Sequence, residues 1–158
     1  MRLIAERITA ENFAPFGDVL TAPPLSGKVS FDGALHNGRP GAHPSLALAD
    51  CPALASLPLT VTKLERHQYS SQSFIPLSGG GKLLVVAPHR EGVGPDLSAV
   101  RAFVTLPSEG ITYRANIWHH SLTLLDRPGV QCVMMWTDGS NGDEEFADVA
   151  PFTVDLPG

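Results

Sequence analysis

A chain of 158 residues has the size of one ordinary domain, long enough to bury roughly two-thirds of its unfolded surface around a single core, and one domain over residues 1–158 is expected. Eleven Lys and Arg against sixteen Asp and Glu leave a formal charge of -5, which excludes the broad basic face that a nucleic-acid backbone or an anionic membrane requires. Glu6 and Arg7 interrupt what would have to be an apolar signal core, and no run approaches the ~18 apolar residues of a membrane span, so a soluble, cytoplasmic chain is expected.

Fifteen glycines and fourteen prolines are spread along the chain and cut it into short segments, leaving little room for long helices. In chain order, Thr9 offers an N-cap and Glu11 an acidic first turn, with Pro15 stopping the helix within about two turns. A short strand is read at Phe16–Thr21, then loops with at most one short strand from Ala22 to Pro44, then a second short helix around Pro52–Leu57. Strand signals dominate afterwards: Leu59–His67, Gln72–Ile75, Lys82–Ala87, Val100–Thr105, Ile111–Tyr113, His119–Leu125 and Val130–Thr137. No amphipathic stretch lies between them to supply crossover helices, which favours a sandwich or closed barrel. The acidic, turn-rich stretch from Thr137 to Glu145 is expected in solvent, and the tail to Gly158 is expected to add a final edge segment. Cys51 and Cys132 match no zinc spacing and are read as reduced thiols. Gly79-Gly-Gly-Lys82 lacks the spacing and the following helix of a phosphate loop and is read as a flexible hairpin turn.

Two places carry candidate chemistry. In the strand ending at His67, alternation puts Lys63, Glu65 and His67 on one side, which forms a charged pocket if it faces a barrel interior and a solvated face if it does not. In Arg114-Ala-Asn-Ile-Trp-His-His120, alternation from Tyr113 carries His119 inward behind an apolar stripe, whereas a turn at Asn116 would reset that phase. The two histidines are adjacent, so only one of them is expected to face a pocket, and His120 is read as packing on the opposite face.

Glu65-x-His67 followed by Gln72 resembles the first motif of the cupin barrels, and Arg114-Ala-Asn-Ile-Trp-His119 resembles the second, with Asn116 at the usual glycine position. That resemblance implies an all-β, cupin-like double-stranded β-helix (a jelly-roll barrel) with one or two short helices. It places Glu65, His67, Gln72 and His119 at the four metal-ligand positions. Gln72 is a weak ligand for a transition metal, so direct acid, base and hydrogen-bond roles are preferred to a divalent metal, and no cofactor is firmly implied.

A longer, ordered set of residues is similar to the ureidoglycolate lyase family: Phe13-Ala-Pro-Phe-Gly-Asp18, Leu-Glu-Arg-His67, Gln72-Ser-Phe-Ile-Pro76, Pro95-Asp-Leu-Ser98, Arg101-Ala-Phe103, Gly110-Ile-Thr-Tyr113 and Trp118-His-His120. The family implies a homodimeric enzyme that splits ureidoglycolate into glyoxylate and urea in purine breakdown. The resemblance assigns His67 and His119 as the acid and base, Glu65 as the group that orients His67 or titrates beside it, and Gln72 as a partner for the ureido group. Arg101 is the first candidate for the substrate carboxylate, ahead of Arg66 and Arg114, while Tyr113, Trp118 and His120 shape or support the pocket. Ala115 stands where the family carries a basic residue, and Pro44–Asp50 lacks an arginine that relatives carry at the end of the corresponding strand. A metal-dependent cupin acting on another small carboxylic acid and a non-catalytic small-molecule-binding cupin are the alternative readings.

Overall fold

Short apolar runs closed by glycine and proline fold here as strands, and the computed structural model, which describes residues 1–158, contains fifteen of them. In chain order they are β1 (Arg2–Ile4), β2 (Glu6–Arg7), β3 (Gly17–Leu20), β4 (His43–Cys51), β5 (Leu59–His67), β6 (Gln72–Pro76), β7 (Lys82–Ala87), β8 (His89–Arg90), β9 (Gly94–Pro95), β10 (Arg101–Val104), β11 (Gly110–Tyr113), β12 (Trp118–His119), β13 (Thr123–Leu124), β14 (Gly129–Thr137) and β15 (Glu144–Asp155). The single α-helix, α1 (Ala10–Phe13), begins at the expected cap: Thr9 Oγ accepts from Asn12 N, and Asn12 Oδ1 accepts from Thr9 N.

The main sheet runs β1-β15-β5-β12-β7-β10-β2, with β13 also on β7, and the second runs β3-β11-β6-β14-β4. Alternation along β7 sends Leu84 and Val86 toward the second sheet, where they meet Phe103, Phe74, Ile111 and Tyr113. The other face of β7, with Leu83, Val85 and Ala87, packs with Val61, Leu64, Trp118 and Phe152 into an outer core, against which Leu54 and Leu97 also pack. Two sheets enclosing one apolar interior make the jelly-roll barrel that the cupin resemblance implies.

Three segments differ from the sequence reading. Pro52–Leu57 forms no helix. Prolines at 52 and 58 bracket too few residues to propagate one, and the backbone pairs elsewhere: Ala53 bridges Leu124, and Leu54 N donates to Leu124 O. His43–Cys51 is a nine-residue strand paired with β14 along its whole length, although its Pro, Ser and Ala content gives little strand signal. The tail is no edge. β15 lies between β1 and β5, and its pairing slips between Asp148 and Phe152, where Pro151 cannot donate to the ladder. Opposite that slip, Val61 and Leu64 both enter the outer core while Thr62 and Lys63 are exposed, so β5 changes phase by one residue. Leu64 and Arg66 then face outward, and Glu65 and His67 face the barrel interior.

The triple glycine is packed, not loose: a Cβ at Gly80 would sit 1.6 Å from Leu125 O, and one at Gly81 2.3 Å from Thr105 O. It delivers Lys82 into a fully buried position, where Nζ donates to Glu109 O at 2.8 Å. Burial pushes the Lys82 pKa down to about 8, against its ordinary value of 10.5. The unfolded chain therefore binds more protons than the fold between these values, and Lys82 contributes stability that rises with pH across that window. Relative to Lys82→Met, wild type is expected to gain about 2–3 kcal/mol between pH 8 and pH 10.5, measured by urea unfolding at each pH.

Candidate active site

Cross-strand register builds the site. On the main sheet His119 pairs with Glu65, one strand over, and on the second sheet Tyr113 pairs with Gln72. Asn116 takes a left-handed φ of 68°, a conformation that Asn tolerates better than most residues and that suits the usual glycine position of the cupin motif. Its N–H donates to His67 O at 2.7 Å, so the turn resets the strand between Tyr113 and His119 and ties it to the end of β5. The result is that Glu65, His67, His119, Tyr113 and Gln72 meet between the sheets.

The Tyr113 ring stacks on His119 with centroids 4.2 Å apart and planes 9° from parallel, and the His67 ring lies 6.1 Å from that of His119. Each histidine has its own carboxylate. His119 Nδ1 is 3.5 Å from Glu65 Oε1, and His67 Nδ1 is 3.8 Å from Asp143 Oδ2. Glu65 thus sits beside His119, not beside His67 as expected. Complete burial and the neighbouring His67 press the His119 pKa down to about 3. Burial lowers His67 as well, while Asp143 and Glu144 push it back up. Burial and the charge of Glu144 raise the Glu65 carboxyl, and burial raises the Tyr113 phenol.

Buried polar atoms without a hydrogen-bond partner concentrate here: His67 Nδ1, His119 Nε2, Tyr113 Oη, Gln72 Oε1, Arg39 Nε and Trp136 Nε1. An unsatisfied buried polar group costs about 1–3 kcal/mol, so such a cluster is expected where a bound molecule completes the bonding. Around His67 a cavity of about 170 Å³ is lined by Arg39, Trp136, Asp143 and Glu144. A second, of about 100 Å³, is lined by Lys63, Glu65, His120 and Phe146. The largest concavity, about 640 Å³, is an open groove beside Gly79, Pro107 and Pro128 that contains none of these groups.

Other expected site residues lie elsewhere. Arg66 and Trp118 face the outer core: the Arg66 guanidinium lies 4.8 Å over the Trp118 ring, donates to Glu145 Oε2 from Nε at 2.8 Å and reaches Asn116 Oδ1, while Trp118 Nε1 donates to His89 Nδ1 at 3.1 Å. They brace the Asn116 turn from behind. Arg101 shares the inner row with Val86 and His119, but its guanidinium is turned toward α1, held by both Glu6 oxygens at 2.9 Å and by Asn12 O. Arg114 donates to Ala14 O and Gly33 O. His120 follows the last residue of β12, beside Val85, to whose carbonyl its N–H donates. It lines the Glu65 cavity, with Nδ1 2.9 Å from Ser121 O.

Two residues of the site have no signal in the sequence reading. Asp143, in the stretch expected in solvent, is 5 % exposed and accepts from Tyr69 N at 2.6 Å and from Ser70 Oγ. Arg39, in the Gly- and Pro-rich loop, donates from Nη2 to Trp136 O at 3.0 Å and places Nη1 2.9 Å from Asp138 Oδ2.

The four cupin ligand positions do not fit a resident metal. No three His, Cys, Asp or Glu side chains come together as a metal-binding group, and Gln72 offers only an amide oxygen.

A family model described as ureidoglycolate lyase matches residues 1–155. A putative ureidoglycolate lyase of Agrobacterium fabrum is 35% identical over 153 residues, covering 96% of this chain and 94% of that one. Ureidoglycolate lyases of Pseudomonas savastanoi pv. phaseolicola and Pseudomonas fluorescens are 36% and 38% identical over 154 residues, covering 92% and 91% of this chain and 89% and 90% of theirs. Among solved structures, RmlC from Streptococcus suis in complex with dTDP-D-xylose aligns with a TM-score of 0.39 at 12% identity, over 60% of this chain and 43% of that one. With a family match that spans nearly its whole length and relatives this similar from end to end, the chain belongs to the ureidoglycolate lyase family.

Proposed function

We infer that this protein is a ureidoglycolate lyase, releasing glyoxylate and urea, and that it does so by acid–base chemistry between two imidazoles. The observation that carries the mechanism is the facing pair of carboxylate–imidazole units, Glu65 with His119 and Asp143 with His67, across a ring separation of 6.1 Å. His119 is the base. Its low pKa keeps it neutral, and with Nδ1 turned to Glu65 and His120 O, the lone pair lies on Nε2, which has no protein partner. Nε2 takes the proton of the substrate hydroxyl as the carbonyl forms and the C–N bond breaks. His67 is the acid that protonates the departing nitrogen, and the proton on His119 then returns to His67, restoring the pair. As His119 becomes an imidazolium, Glu65 lies at Nδ1 to stabilise it.

Gln72 and Tyr113 hold the substrate through polar atoms that have no other partner. Arg39 is the arginine that lines the His67 cavity, with Nε unpaired, and in this reading it takes the carboxylate in place of Arg101. Incubation of the purified protein with ureidoglycolate tests the function. Glyoxylate and urea are expected to appear together, faster than by spontaneous decay, and their failure to do so would overturn the reading.

A single-domain, cytoplasmic homodimer completes this proposal. No helix is long and apolar enough to cross a membrane. On the outer face of β4, Leu46 and Leu48 are 73% and 68% exposed, an apolar stripe suited to cover by a second copy. A Leu46→Glu, Leu48→Glu double variant is expected to sediment as a monomer where wild type sediments as a dimer.

A further inference from the structure

The carboxylate behind His67 was not expected from the sequence, and its surroundings give it a task. Asp143 and His67 are each 5% exposed. Asp143 is clamped from three sides, by Tyr69 N at 2.6 Å, by Ser70 Oγ and by Arg39 Nη2 at 3.5 Å, so its position is fixed before substrate arrives. His67 Nδ1, 3.8 Å from Asp143 Oδ2, is buried and has no other partner. That separation is just beyond a hydrogen bond, the looseness that catalytic contacts show before substrate closes them.

We propose that Asp143 is the positioning residue for His67, fixing its ring with Nδ1 turned to the carboxylate and Nε2 to the substrate, and holding the charge of the imidazolium that serves as the acid. This rests on the lyase reading given above. The reasoning is electrostatic. A buried imidazole resists protonation, and the acid must hold a proton for the leaving nitrogen, so a carboxylate beside the ring is what keeps that proton within reach. The charged and titratable groups that face His67 are Asp143, Glu144 in register with it on β15, Glu65 on its own strand, His119 on the neighbouring strand β12 and Arg39 from the loop before β4. Asp143 is the one within reach of Nδ1. Arg39 opposes it, sharing the same Oδ2 while disfavouring a charge on the ring.

The two neighbours therefore have opposite signs, which a purely structural role would not produce. With histidine labelled at the ring nitrogens, the His67 pKa read by NMR is expected to fall by about one unit in Asp143→Asn and to rise in Arg39→Gln. Turnover of ureidoglycolate by Asp143→Asn is expected to show kcat reduced about 10–100-fold with KM little changed, and the alkaline limb of its pH profile displaced downward by the same amount as the His67 pKa. A His67 pKa unmoved in Asp143→Asn, or moved the same way in both variants, overturns the proposal. If Asp143→Asn does not fold, Arg39→Gln decides: a rise supports the coupling and no shift overturns it. Opposed shifts in the two variants, with a wild type that releases no urea, would instead defeat the lyase reading and leave the Asp143–His67 coupling standing.

Discussion

Replacing His119 by glutamine is expected to lower kcat for urea release about 1,000-fold, with glyoxylate formation falling in parallel, in steady-state assays at neutral pH. Glutamine keeps a polar side chain of comparable reach beside Tyr113 but offers no basic lone pair. His119 is 1% exposed and has one nitrogen, Nε2, that is buried and without a protein partner. Its pKa of about 3 keeps it neutral over the whole working range, so losing it removes the acceptor for the hydroxyl proton and no change of pH restores it. Retained wild-type turnover in His119→Gln, with an unchanged melting temperature, would reject its role as base. Glu65→Gln is expected to cost less, because it withdraws stabilisation of the imidazolium and not the acceptor itself.

The second large effect is expected at His67. His67→Asn removes the acid and is predicted to lower kcat about 100–1,000-fold for ureidoglycolate. A substrate analogue whose leaving nitrogen carries an electron-withdrawing aryl group needs less help to depart. It should recover most of the loss in His67→Asn and little of it in His119→Gln. Equal recovery in both would mean that the roles are not divided as proposed. The pH profile gives an independent check. Burial lowers the His67 pKa from its ordinary value of 6.5, and the acid must be protonated, so the alkaline limb of kcat in wild type is expected below that value. Activity should fall as pH rises through it.

Both predictions depend on a pocket whose strand-borne members were legible and whose loop-borne members were not. The strands Leu59–His67 and Lys82–Ala87 have the bounds that the sequence predicts, because alternating or continuous apolar runs closed by turn residues are a local signal. Glu65, His67, Gln72 and His119 followed from motif spacing within such strands. Arg66 and Trp118 belong to the same motifs, yet they stand behind the sheet, because adjacent residues on a strand point to opposite faces and the phase of β5 is set at the slip opposite Pro151. Arg101 shows a further limit. Register brings it to the inner row beside His119, but Glu6 and the helix carbonyl of Asn12 draw its guanidinium away, a choice made by partners about 90 residues distant in the chain.

The sequence by itself determined the all-β class, the capped first helix, most strands, and the presence of histidines and a glutamate at cupin ligand positions. These depend on periodicity, on turn residues and on spacing within short windows. Only the tertiary structure decided which carboxylate lies beside which histidine. Glu65 is two residues from His67 yet pairs with His119, because antiparallel register sets it opposite that residue on β12. Asp143 lies in a stretch with the composition of a solvated turn, and the end of β5, the Ser70 hydroxyl and Arg39 close around it and bury it. Burial and pairing are properties of the space between elements, so the shifted pKa values of the two imidazoles arise only once the barrel has closed.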